Sequence, residues 1–135
     1  MWTASPVDVQ CHSAAQAGRK GIVMNVVVLR GRISSSLVTR DLVGGGRAVS
    51  FDLATDTGSG RASVPASWID PPALPDWPEG HEVVICGLVR RRFFRSGGAT
   101  QSRTEVMVTE AVEARKRQQV RKMLDRVTAR LADGS

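Results

Sequence analysis

Six consecutive residues, Arg90-Arg91-Arg92-Phe93-Phe94-Arg95, hold the densest chemistry in this 135-residue chain. They belong to a stretch, Val83 to Val108, in which two strand-like runs flank Ser96-Gly-Gly-Ala-Thr-Gln101, a loop whose glycines permit the turn. Between Val83 and Thr104 there are five arginines and no acid. Side chains alternate across a strand, so Arg90, Arg92 and Phe94 share one face and Arg91, Phe93 and Arg95 share the other. Guanidinium groups meet phosphates and a ring gives a base something to stack on, which together suit a single-stranded nucleic acid. The same residues also describe a solvated basic edge, whose charge keeps foreign strands from pairing with it. Spacing alone leaves both readings open.

Other chemistries find less support. His12 and His81, the two histidines, have neither a nucleophile nor an acidic partner at a suggestive spacing. The acids form no metal-binding pattern, and no Gly-Lys-Ser/Thr follows the glycine turns as a phosphate-binding P-loop requires. Joining Cys11 and His12 to His81 and Cys86 in a zinc site would disregard ligand spacing. No enzyme, cofactor, metal ion or small-molecule substrate is therefore expected. The formal charge of +6 favours a polyanionic partner, either nucleic acid or an acidic membrane surface. No apolar run is long enough for a membrane span, and the amino terminus lacks the apolar core of a secretory signal. Two cysteines, one in a polar arm and one in an apolar strand, make a poor disulfide framework, so a cytoplasmic, nucleoid-associated location is expected.

The elements that must position the arginines follow from local pattern. Residues 1–23 lack sustained periodicity and are expected to form a flexible arm, with Trp2 as an incidental aromatic. Asn25 to Ile33 is a strand with Val27, Leu29 and Ile33 on one face and Val26, Val28, Arg30 and Arg32 on the other. Its Gly31 is expected to mark a bend or bulge. A short extended segment from Leu37 to Leu42 carries Arg40. Arg47 to Thr55 alternates cleanly, with Val49, Phe51 and Leu53 inward, and Ala62, Val64, Ala66 and Trp68 share parity on the next strand. Pro65 cannot donate to a ladder, so that strand is expected to be an edge or to carry a bulge. Asp70 to Gly80 contains four prolines and excludes a long helix; Trp77 and Leu74 are expected to plug the end of the core from this loop. Beyond Glu113 the recurrence of Val120, Leu124, Val127 and Leu131 predicts one basic amphipathic helix.

Five short strands with glycine-bearing turns and a basic hairpin between the fourth and fifth predict an all-β, OB-fold barrel, extended at that hairpin and followed by a helix. The expected units are an arm (1–23), a barrel (24–112) and the terminal helix (113–135). Four segments then resemble the bacterial single-stranded-DNA-binding protein family. They are Asn25-Val-Val-Val-Leu-Arg-Gly-Arg-Ile33; the Gly45-Gly46 turn with Phe51-Asp-Leu-Ala-Thr55; Glu79-Gly-His-Glu-Val-Val-Ile-Cys-Gly87 through Arg92; and Arg103-Thr-Glu-Val106. The resemblance spans roughly Met24 to Val112, and its specificity lies in the shared order and spacing of these segments.

That resemblance implies contacts to single-stranded DNA from Arg40, Trp68, Arg90, Arg92 and Phe94, with Trp68 and Phe94 as stacking surfaces. It implies a part in replication, repair or recombination, and a homotetramer built partly through the first strand, where Val26 and Val28 would face a neighbour; a dimer is the alternative. The sequence also departs from the family. Ala62 stands where a stacking tryptophan is usual, and the Ser59 region replaces a loop aromatic. The helix between the third and fourth strands shrinks to the proline-rich loop. A basic helix occupies the place of a flexible tail with an acidic, apolar tip, so the chain looks like a divergent paralogue without tail-mediated recruitment. Two alternatives stay open: an OB-fold interaction module serving as an accessory subunit of a replication or conjugation complex, and a binder of single-stranded RNA.

Overall fold

The computed structural model describes residues 24–133. The arm expected over 1–23, with Trp2, Cys11 and His12, lies outside the described residues. Six strands and one helix follow in order: β1 (Val27–Ile33), β2 (Val38–Asp41), β3 (Arg47–Asp56), β4 (Arg61–Ile69), β5 (Glu82–Ser96), β6 (Ala99–Glu113) and α1 (Arg117–Asp133). The segment around Arg40 is thus a strand in its own right, and the expected fourth–fifth hairpin is β5–β6. The sheet runs β1-β5-β6-β4-β3-β2, and a second pairing between β1 and β3 closes five of the strands into a barrel. β2 lies against the first half of β3, and β1 reaches β3 only through Arg32 and Ile33.

Alternation builds the interior. Val49, Phe51 and Leu53 of β3 point inward and face Trp68, Ala66 and Val64 across the β3–β4 ladder. Ile33, Val83, Ile85, Val106 and Val108 complete the buried set. The proline-rich loop contains no helix, and it delivers Trp77 onto this core. The Trp77 ring stacks on Trp68 with centroids 6.2 Å apart and meets Phe51 edge-on at 6.1 Å. Leu74 remains exposed and plugs nothing. Pro65 stands one residue before the short parallel pairing of β4 with β6, where that side of β4 is an open edge.

β5 is apolar on both faces because it separates two cores. Val83 and Ile85 face the barrel, while Val84 and Cys86 lie under α1 with Ala114, Met123 and Val127. An extra residue in β6, Thr109, makes a bulge opposite Cys86/Gly87, and its hydroxyl donates to the Cys86 carbonyl at 3.1 Å. A Cβ on Gly87 would collide with the Met107 carbonyl oxygen, so only glycine lets the strands approach this closely. The contact face of α1 is set by Met123 and Val127, flanked by Val120. Leu124 and Leu131, expected in that stripe, are exposed, because a helix resting on a sheet buries only the narrow face between its third- and fourth-residue neighbours. The first turn of α1 carries no acid. Its dipole therefore opposes the clustered cations there, and packing rather than end charge holds the helix. No described helix is long and apolar enough to cross a membrane.

Candidate nucleic-acid interface

Beyond the Val89–Val106 pair, β5 and β6 continue as a two-stranded ribbon in unbroken antiparallel register to Ser96–Ala99. One face follows the outer surface of the barrel and carries Arg90, Arg92 and Phe94 opposite Glu105, Arg103 and Gln101. The structure places these three together, as alternation requires. Arg92 and Arg103 also line a cleft of about 500 Å³ whose other wall is β2 and the segment before it. Arg40, Val38, Ser35 and Ser36 come from that wall, and Ser50, Asp52 and Pro65 form the floor. Arg40 and Arg92, 52 residues apart in sequence, thus share one basic concavity. Phe94 lies farther along the same ribbon face and is 39% exposed, so its ring is open to a ligand.

Glu105 was not singled out by sequence reasoning. Its residue is only 5% exposed, and Oε2 accepts from Arg90 Nη2 at 2.9 Å while Arg92 Nε stands 3.7 Å away. Arg92 Nε is shielded from solvent and makes no hydrogen bond. One carboxylate thus fixes two guanidiniums on the outer face and offsets part of their charge. Arg103 was also not singled out by sequence reasoning, although it stands opposite Arg92 in the register and lines the cleft. Its position just across the hairpin from Arg92 was the available signal.

One expected placement needs correction. Trp68 is 7% exposed and offers no stacking face: it points inward opposite fully buried Val49 and is covered by Trp77. The inward parity of Val64 and Ala66 forces this orientation. Val26 is half-buried against the α1 cluster, so of the two valines expected at a subunit interface only Val28 stands exposed.

The surroundings of the cleft are electrostatically distinct from it. A second concavity of about 690 Å³ at the β1–β3 seam contains Arg30, Arg32 and Arg61. There Glu82 accepts from Arg30 Nε at 2.6 Å, and that bond holds the Glu82 carboxyl below its ordinary range. Arg115 does the same to Glu113 through a 2.8 Å bond. Burial under α1 pushes the Cys86 thiol up. Among the described residues, no three His, Cys, Asp or Glu side chains stand together in a metal-holding arrangement.

Two solved structures share this architecture. The N-terminal domain of PriB from Thermoanaerobacter tencongensis, a dimer, superposes with a TM-score of 0.53 at 16% identity, covering 66% of this chain and 94% of that one. The Plasmodium falciparum SSB in complex with ssDNA gives 0.59 at 17% identity, covering 67% and 95%. The chain is an OB-fold barrel. No protein-family model and no curated protein matches its sequence. OB-folds bind oligonucleotides and oligosaccharides on one sheet face and through rim loops. In this OB-fold the arginine cleft lies on the outer face of β3 and β4, walled by β2 on one side and by the β5–β6 ribbon on the other.

Proposed function

We propose that the chain is a non-catalytic, largely sequence-independent binder of single-stranded DNA. The observation that carries this is the cleft in which Arg40, Arg92 and Arg103 converge from separate elements, with the open Phe94 ring beyond. Phosphates would meet the guanidiniums, and a base would stack on the phenyl ring. Nothing in that arrangement addresses base edges, which is why sequence preference should be slight. With Trp68 inside the barrel, stacking rests on fewer rings than the resemblance implies, and a larger share of affinity falls to the arginines. The likeness to a structure holding ssDNA supports the reading. A role in replication, repair or recombination in the nucleoid, as a homo-oligomer, is proposed with it.

The test is a salt-titrated anisotropy measurement on a labelled thymidine oligomer. Arg40→Ala combined with Arg92→Ala should weaken binding and reduce the log–log salt slope by about 0.7 for each phosphate left without its guanidinium. An unchanged slope removes the strand from this cleft. A matched RNA oligomer, run in parallel, separates DNA from RNA binding. The interaction-module reading draws on one observation, the exposed Leu124 and Leu131 on a basic helix. It predicts weak oligonucleotide binding and loss of a protein partner on substituting those leucines.

A further inference from the structure

The ribbon has two faces, and only one belongs to the cleft. On the other, Arg91, Phe93 and Arg95 stand opposite Thr104, Ser102 and Thr100. Phe93 is 63% exposed, more than Phe94 on the first face. A phenyl ring this open, held on a strand between two guanidiniums, gains nothing from folding and costs hydration. Its neighbours sharpen the point. Glu105 engages Arg90 and Arg92 on the first face, whereas among the described residues no ion pair engages Arg91 or Arg95. Arg95 donates only to the Gly98 carbonyl, at 3.2 Å. The three residues across the ladder are hydroxyl side chains, which accept or donate hydrogen bonds without adding charge. This second face is therefore cationic without internal compensation and has a stacking surface at its centre.

We infer that Arg91, Phe93 and Arg95 form a second single-strand contact surface, so that one protomer holds two polynucleotide segments, one on each side of the β5–β6 ribbon. The inference rests on the proposed single-strand binding and extends it from one path to two. Polynucleotide fits the face better than an acidic protein segment does, because the ring is bracketed by cations at the two-residue repeat of a strand. A stacked base with a phosphate on either side matches that spacing. The fixed register, unbroken from Leu88 to Ser96, keeps the second face from turning into the cleft. One strand segment lying straight along the cleft therefore leaves it open.

The experiment counts bound oligonucleotides per protomer. The full chain is mixed with an excess of a thymidine oligomer of about 8 nucleotides, within the span one OB-fold covers, and the complex is weighed by native mass spectrometry at low ionic strength. The unaltered protein should take up a second oligonucleotide per protomer. The Arg91→Ala, Phe93→Ala, Arg95→Ala variant should lose that one and keep the first. The Arg92→Ala, Phe94→Ala variant should show the reverse loss. All substituted side chains other than Arg92 are exposed, and a circular dichroism melt of each variant is the check that it remains folded. A single oligonucleotide per protomer on the unaltered protein overturns the second surface. If that single oligonucleotide disappears with Arg92→Ala, Phe94→Ala, the proposed function still stands. If no oligonucleotide binds at all, both fail together.

Discussion

With 5% of its surface exposed between the guanidiniums of Arg90 and Arg92, Glu105 decides how much positive charge the cleft shows a ligand. Replacing it by Gln keeps an acceptor of the same shape and removes the charge. The arginine side chains are 45% and 41% exposed, so solvent takes up much of the freed charge. The stability cost should therefore be about 1 kcal/mol, well below that of breaking a fully buried pair. Glu105→Gln should bind a thymidine oligomer more tightly and with a steeper salt slope, by about 0.7 if one released guanidinium takes a phosphate. Weaker binding by a variant of unchanged melting temperature would show that the carboxylate positions the arginines more than it competes for them. Trp68 gives the opposite prediction. Trp68→Ala should cost about 3–5 kcal/mol through the cavity it leaves. Trp68→Phe should lower the thermal midpoint and leave oligonucleotide affinity unchanged; a loss of affinity without a loss of stability would return Trp68 to the binding surface. The shared parity of Ala62, Val64, Ala66 and Trp68 was readable from the chain; that Val64, Ala66 and Trp68 face the barrel core came only with the structure. Family resemblance alone pointed the other way. The position of Glu105 was not readable, since an acid just past an acid-free run looks like the end of the basic patch until the register sets it against Arg90.

At the scale of elements, α1 and β5 depend on one another. β5 presents Val84 and Cys86 away from the barrel, and among the described residues the Met123 and Val127 face of α1 covers them. The apolar start of β5 is consistent with burial on both faces, and the helical recurrence after Glu113 predicts a helix. Which residues met could not be read, because Met123 and Leu124 lie on adjacent flanks of the same stripe and the sheet selects between them. Cys86 reports on this contact. Its thiol is buried and pushed up, so at neutral pH it is protonated and slow to react with a disulfide reagent. In a Cys11→Ser background, Met123→Asp should speed modification of Cys86 at least tenfold while the barrel stays folded by circular dichroism. Equal rates in the two proteins would mean that α1 does not guard that face. The ion pair of Arg126 with Glu110 ties the helix to β6 but is half-exposed, and its removal should cost no more than about 1 kcal/mol.

At the scale of the whole molecule, two surfaces could join one protomer to another, and the fold treats them differently. β1 pairs with β5 along Val27 to Arg32, but its other edge meets β3 only at Arg32 and Ile33. Among the described residues, backbone donors and acceptors along the first half of β1 are therefore left open, beside exposed Val28. Such an edge either must be blunted or pairs with a copy of itself, and an isologous pairing about a two-fold axis satisfies both chains at once. The outer face of β1, β5 and β6 is the second surface. It is apolar through Val26, Val84, Cys86 and Val112, and α1 already lies on it. Growth beyond a pair through that face requires the helix to leave. Light scattering should accordingly give the mass of a dimer. Val28→Pro, which removes a donor from the open edge, should yield monomers with the barrel intact. Deleting residues 115–135 should instead expose the apolar face and raise the mass above that of a dimer. A tetramer from the undeleted chain would mean that the covered face is not the one that limits assembly, and a Val28→Pro dimer would move the interface off β1.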